Sequence, residues 1–172
     1  WNTAINRRQF AINVPHFTWP EKYRYPDVLV ESKTSFRVGD TEFLLNPARG
    51  ETDDHLWAFI PKEKILLPGD LFIWAVPNGG NPQKVQRYIS DWADALREMS
   101  ELEAEIMLPG HGYPMFGKEN IQKALTTTAE FLDDIENQVM ELMNKGRTLN
   151  SIIHKVKFKK ELMELPWLKP VY

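Results

Sequence analysis

An α/β fold is predicted by three features of the sequence. Short β-favouring runs fill its first half, an amphipathic helical stretch follows two apolar runs, and a second, longer helical stripe lies beyond a further short run. Residues 1–27 mix aromatics with Pro15, Pro20 and Pro26, a proline density that breaks helices and interior strands alike, so an irregular segment is expected. Residues 28–30, 35–38 and 42–45 read as short strands, separated by Ser32-Lys33 and by Gly39-Asp40, the turn chemistry of a meander or hairpin. Residues 56–60 and 65–67 are apolar runs flanking Pro61-Lys62-Glu63-Lys64, the pattern of two buried strands joined by a tight charged turn.

From Pro82 to Leu102, Val85, Ile89, Trp92, Ala93, Leu96, Met99 and Leu102 recur at steps of three or four, with Asn81 as cap and Pro82 in the first turn. Residues 105–108 read as a strand ending in Pro109-Gly110-His111-Gly112, a tight turn. Residues 118–145 form a long second helix with Ile121, Leu125, Phe131, Leu132, Ile135, Val139 and Leu142 as its buried stripe, stopped by Gly146. Thr148 or Asn150 can start a shorter helix through Ile152, Ile153 and Val156. The chain then turns basic and carries Pro166 and Pro170.

At 172 residues the chain is long enough for one core, which should bury about 70% of the unfolded surface. Hydrophobic content of 42% and charged content of 26% argue against disorder. Its 21 basic and 24 acidic residues are interspersed, for a net charge of −3, so neither nucleic acid nor a membrane is expected as partner. With no cysteine present, disulfides and thiolate sites are excluded, and any metal must be held by His, Asp or Glu. No leader or apolar span is visible, and a cytoplasmic location is expected. The start at Trp1 and the end at Val171-Tyr172 both read as cut ends of a longer protein.

Three polar clusters stand at predicted strand ends: Gly50-Glu51-Thr52-Asp53-Asp54-His55, Pro68-Gly69-Asp70 and Pro109-Gly110-His111-Gly112. In each, a glycine beside the acid or imidazole lets backbone approach closely, and the side chains offer the oxygen and nitrogen donors that zinc, iron or manganese accept. Singly, each is an ordinary turn. Their order, with Leu-Leu-Pro-Gly-Asp-Leu-Phe and Ile-Met-Leu-Pro-Gly-His-Gly around the last two, resembles the second half of the metallo-β-lactamase superfamily, on its alkylsulfatase-like branch. Asn6 to Phe10, Tyr23 to Pro26 and Phe72 to Tyr88 share in that resemblance.

The resemblance implies the C-terminal half of an αβ/βα sandwich over residues 1–116, with a helical C-terminal extension over 117–172 packed on it. It places Glu51 where a ligating histidine usually stands, Asp70 at the bridging carboxylate and His111 at the last histidine ligand, with His55 as an alternative ligand. It also implies one or two divalent ions, zinc foremost and iron or manganese next, activating a water that Asp70 bridges or orients, with Glu51 adding a charge that a neutral imidazole lacks. Phe72, Trp74 and Asn78 look like a substrate-binding loop with an aromatic wall. Asp53 and Asp54 can bond a ligand or cap the turn, and Arg7 and Arg8 can bind an anion or stand in solvent. His16 and His154 have no motif around them.

The family's upstream His-x-His-x-Asp-His segment is absent: the four histidines are His16, His55, His111 and His154. The expected function is therefore that of a fragment of a metal-dependent hydrolase of sulfate esters, phosphate esters, thioesters or lactones, inactive alone. It would form homo-oligomers or pair with the missing N-terminal half. The alternative is a non-catalytic interaction or assembly module built on the half-fold.

Overall fold

The computed structural model describes residues 22, 24–80 and 86–170. Of the irregular segment expected at residues 1–27, residues 1–21 and 23 fall outside them, as do Arg7, Arg8, His16 and the Asn81-Pro82 helix start. The described chain forms one six-stranded sheet in the order β1-β2-β3-β4-β5-β6, with helices between and after the strands. Strands β1 (Thr34–Val38), β2 (Thr41–Ala48), β3 (His55–Ile60) and β4 (Ile65–Ile73) form an antiparallel meander. Helix α1 (Ile89–Ser100) carries the chain over to β5 (Ile106–His111), which pairs with β4 in parallel. A two-residue strand, β6 (Met115–Phe116), closes that edge antiparallel to β5. Helices α2 (Lys118–Asn144), α3 (Leu149–Lys155) and α4 (Lys160–Met163) and a 3-10 turn (Pro166–Leu168) complete the chain. The mixed sheet with its helical extension bears out the α/β prediction.

Several boundaries differ from the sequence expectation, each for a local reason. Residues 28–30 are not a strand: they are exposed or half-exposed, and no neighbouring strand pairs with them. Strand β4 runs on through Pro68-Gly69-Asp70, because its register against β5 shifts between Leu66 and Gly69 and again between Gly69 and Ile73. A proline is tolerated where the ladder is already interrupted. Of the helix predicted from Pro82, residues 86–88 are not helical and the described helix begins at Ile89. Tyr88 is the N-cap, with non-helical dihedrals (φ −117°, ψ 83°), and its N–H bonds the Gly50 carbonyl at 2.9 Å.

From Ile89 on, the predicted stripe holds. Trp92, Ala93, Leu96 and Met99 are buried, together with Ala95. Trp92 is 2% exposed and its indole N–H donates to the Leu71 carbonyl at 2.7 Å, the partner such a buried ring needs. Helix α2 buries Ile121, Leu125, Phe131 and Leu132 in the same core as Trp57, Leu66, Trp92, Leu96 and Met107. Its stripe fades toward the C-terminus, where Met140 and Met143 are exposed. Gly146, with φ +67°, ends the helix, and the Thr148 hydroxyl caps α3 by accepting from the Ser151 N–H. Gly117, at the expected junction of the two parts, joins β6 to α2 directly.

Candidate metal centre

Asp70 and His111 meet at the C-terminal ends of the paired strands β4 and β5. The two register shifts between these strands carry Asp70 past Gly69 and level with the end of β5, where His111 pairs with Ile73. Asp70 Oδ1 lies 3.5 Å from His111 Nε2. Both side chains face water, at 41% and 74% exposure, so neither is desolvated as a buried ion pair would be. Gly110 makes the approach feasible: a Cβ there would stand 2.0 Å from Asp70 Oδ1 and 2.8 Å from the Gly69 backbone. A side chain at that position would force Asp70 or the Gly69 backbone aside, and Gly112, with φ +99°, is crowded instead by the Trp74 ring, 2.3 Å from where its Cβ would stand.

The separation suits a shared cation better than a direct hydrogen bond. A strong N–H to carboxylate bond is near 2.8 Å, whereas two donors of a tetrahedral zinc, each about 2.0–2.1 Å from it, stand roughly 3.4 Å apart. As an oxygen and a nitrogen donor, the pair fits two positions of a divalent-ion site.

Glu51 is not brought to this pair. Its Oε1 is 2.7 Å from Arg87 Nη2, and the arginine side chain is only 5% exposed. Arg87 also donates to the Asn78 carbonyl at 2.7 Å, and the Tyr88 N–H to Gly50 bond ties the same two segments together. Glu51 is therefore the counter-charge of a buried cation. Among the described residues no three His, Asp or Glu side chains converge as a metal-binding group. His55 is engaged as well: its Nε2 donates to the Pro68 carbonyl at 3.2 Å, strapping β3 to the irregular part of β4. At Gly69, with φ +57°, a Cβ would approach that nitrogen to 2.7 Å.

The expected substrate loop divides. Phe72 is 1% exposed and packs in the core, so it offers no surface to a substrate. Trp74 is half-buried beside the pair. Its backbone N–H donates to the His111 carbonyl at 3.3 Å, and its indole Nε1–H donates to the Tyr113 carbonyl at 2.6 Å. Its ring meets Tyr113 and Trp167 edge-on, forming an aromatic wall of which the sequence marked only Trp74. Asn78 is exposed, and its Oδ1 accepts from the Gly80 N–H at 3.2 Å, so the side chain shapes its own loop. Asp53 lines a shallow groove of about 380 Å³ with Arg49, Asp91, Asp94 and Glu98; neither Asp70 nor His111 borders it.

Arg87 is a further residue that sequence reasoning missed. It lies off the apolar stripe of the predicted helix, as a solvent-facing arginine does, and nothing local marks it as buried.

The family of this strand-end pair is decided by sequence comparison: residues 8–111, more than half of the chain, match the metallo-beta-lactamase superfamily. The chain belongs to the metallo-beta-lactamase superfamily. Within that superfamily it is 27% identical over 134 residues to a linear primary-alkylsulfatase of Pseudomonas sp. (strain ATCC 19151), spanning 76% of this chain and 25% of that protein. It is 25% identical over 135 residues to a hydroxyacylglutathione hydrolase of Francisella tularensis subsp. novicida (strain U112), spanning 77% of this chain and 52% of that one. The fold is similar to that of the inverting sec-alkylsulfatase Pisa1 from Pseudomonas sp., with a TM-score of 0.77 over 84% of this chain and 24% of that structure, at 23% identity. The chain thus spans about a quarter of the alkylsulfatase and about half of the hydroxyacylglutathione hydrolase. Among the described residues no helix is long and apolar enough to cross a membrane.

Proposed function

We propose that this chain is part of a metal-dependent hydrolase of ester-type bonds, of the sulfate ester, phosphate ester, thioester or lactone kind. The observation that carries the reading is the Asp70–His111 pair, 3.5 Å apart at two parallel strand ends in a space that only glycine at position 110 leaves open. Membership of the metallo-beta-lactamase superfamily and likeness to an alkylsulfatase and a hydroxyacylglutathione hydrolase support it.

Among the described residues Asp70 and His111 are the two donors brought together for a divalent ion, zinc first by its taste for mixed nitrogen and oxygen sets, iron or manganese next. Asp70 and His111 would help hold such an ion, which would supply a water with its pKa lowered to about 7 and a Lewis acid for the ester oxygen, and Asp70 would orient that water. Trp74 and Tyr113 border His111 and supply apolar surface for the organic part of an ester.

Two donors are too few to hold an ion tightly, so the chain alone is inactive and acquires its remaining ligands from a segment carrying the family's upstream histidines. The β1 edge, with Phe36 57% and Val38 59% exposed, supports association with such a segment or with a second copy. Equilibrium dialysis against zinc(II) tests the assignment. Weak uptake is expected, reduced at least tenfold by Asp70→Asn and by His111→Ala. Uptake indifferent to both substitutions contradicts it, and chelator-sensitive ester turnover by the chain alone contradicts the expected inactivity.

A further inference from the structure

The C-terminal part of the chain returns to the strand-end pair and packs against the segment that holds His111. Its 3-10 turn, Pro166–Leu168, is seated in the core, with Trp167 9% and Leu168 0% exposed. We propose that Trp167 is a positioning residue: from this turn it braces Trp74, which clamps the turn from His111 to Tyr113, so that the helical extension sets where the His111 imidazole stands beside Asp70. The inference rests on the reading of His111 as a site residue and adds to it the part of the chain that fixes its place.

A series of contacts forms the link. Trp74 directly follows β4, its backbone N–H donates to the His111 carbonyl at 3.3 Å, and its indole Nε1–H donates to the Tyr113 carbonyl at 2.6 Å. It therefore grips the turn both before and after Gly112. Its ring lies against Gly112 itself, whose Cβ would stand 2.3 Å from it. Trp74 also meets the Trp167 ring edge-on, with centroids 6.5 Å apart. The Trp167 indole N–H donates to the Thr127 hydroxyl at 3.1 Å, and that hydroxyl donates to the Lys123 carbonyl at 2.7 Å, which ties the ring to helix α2. Beyond Trp74 the Val76 N–H donates to the Lys169 carbonyl at 3.2 Å, so the C-terminal turn holds this segment by backbone as well.

The His111 side chain is 74% exposed and has little packing of its own to choose its direction, so its placement comes from the turn that carries it. A binding site needs its donors held within about 0.5 Å of the working geometry, by groups whose own rotamers packing has locked. Tyr113, the other ring against Trp74, is 77% exposed and offers no such anchor, whereas Trp167 is buried and hydrogen-bonded.

The experiment is NMR of the histidine imidazole signals in the full chain, beside zinc uptake by equilibrium dialysis. Trp167→Ala should displace the His111 signals and leave in place those of His55, which is bonded to the Pro68 carbonyl. It should also lower zinc uptake about threefold, less than the loss of a ligand's direct partner. Trp167→Phe, which keeps a ring against Trp74, should return both readings toward the parent. If the alanine variant does not fold, Thr127→Val serves: it removes the hydroxyl that anchors the Trp167 indole, keeps the volume, and should displace the same signals by less. A tryptophan that only filled the core would lower the melting temperature and leave the native His111 signals where they are, so folded variants with unmoved His111 signals overturn the inference. If zinc uptake is untouched by Asp70→Asn and His111→Ala, the metal reading fails, while the His111 signals still decide the bracing. If those two substitutions matter and His111 does not respond to Trp167→Ala, only the bracing is wrong.

Discussion

Two carboxylates at the edge of the same sheet have opposite surroundings. Asp70 sits on a strand, 41% exposed, facing an exposed histidine across a gap of 3.5 Å. Glu51 sits in the loop between β2 and β3, pressed at 2.7 Å against a guanidinium that water barely reaches. The strand residue is placed by backbone: the register shifts of β4 and the missing side chain of Gly110 set its position, and nothing else in the fold depends on its charge. The loop residue is placed by charge, since Arg87 needs a counter-ion where it lies. Metal donors have to be free of such obligations, and in this chain Asp70 is free while Glu51 is not.

That contrast can be broken most forcefully at Glu51. Glu51→Ala leaves Arg87 buried and unpaired, and should destabilise the chain by about 3 kcal/mol in chemical denaturation. A loss below about 1 kcal/mol would show that water reaches the guanidinium after all. Gly110→Ala comes next. Its Cβ has Asp70 Oδ1 at 2.0 Å and backbone at 2.8 Å, so β4 and β5 must part, at about 2 kcal/mol of overpacking. Retained stability with an unchanged Asp70–His111 geometry would remove the steric account of the glycine. Asp70→Asn and His111→Ala should each change stability by less than about 0.5 kcal/mol, as exposed groups do, although both weaken zinc uptake. Equal losses at Asp70 and Glu51 would erase the distinction between them.

The smallest effect is that of pH, and it arises away from the site. The Lys118 ammonium holds Glu103 below the ordinary carboxylate value of 4.5 through a hydrogen bond and charge, and Lys145 does the same for Glu141. The stability these contribute is present above 4.5 and is lost as pH falls through the depressed folded values. Glu105 raises Lys64 above its ordinary 10.5, and Glu130 raises Lys159; their contribution is present below 10.5 and is lost as pH rises through the raised values. All four groups are fully exposed, so melting temperature is expected to be nearly flat from about pH 6 to 9 and to decline slightly at both extremes. A steep midrange change would locate a titrating group elsewhere.

Asp70 and His111, the proposed donors, were legible in the sequence because glycine and proline mark their turns and the order of those turns carries the family resemblance. Pro-Gly-Asp and Pro-Gly-His each follow an apolar run, and a strand end crowded by backbone requires that composition. The β3–β4 turn and helix α2 were legible for a similar reason, each being fixed by local pattern. What depends on distant partners was not. Strand β4 continues past Pro68 only because β5 is offset against it, and the described α1 starts after Tyr88, whose N–H bonds Gly50 across the fold. Phe72 looked like a wall of the site and is core, since alternation along an irregular strand does not tell which side faces the helices. Arg87 was hidden for the deepest reason. A buried arginine differs from a surface one only by its counter-ion, and Glu51 is far from it in sequence.

The most direct test of Asp70 and His111 as the metal-binding edge is paramagnetic broadening of the histidine imidazole NMR signals by manganese(II) at substoichiometric concentration. His111 should broaden first and strongly, while His55, bonded to the Pro68 carbonyl, and His154, on α3, stay sharp by comparison. Broadening first at His55, or equally at every histidine, would contradict the assignment.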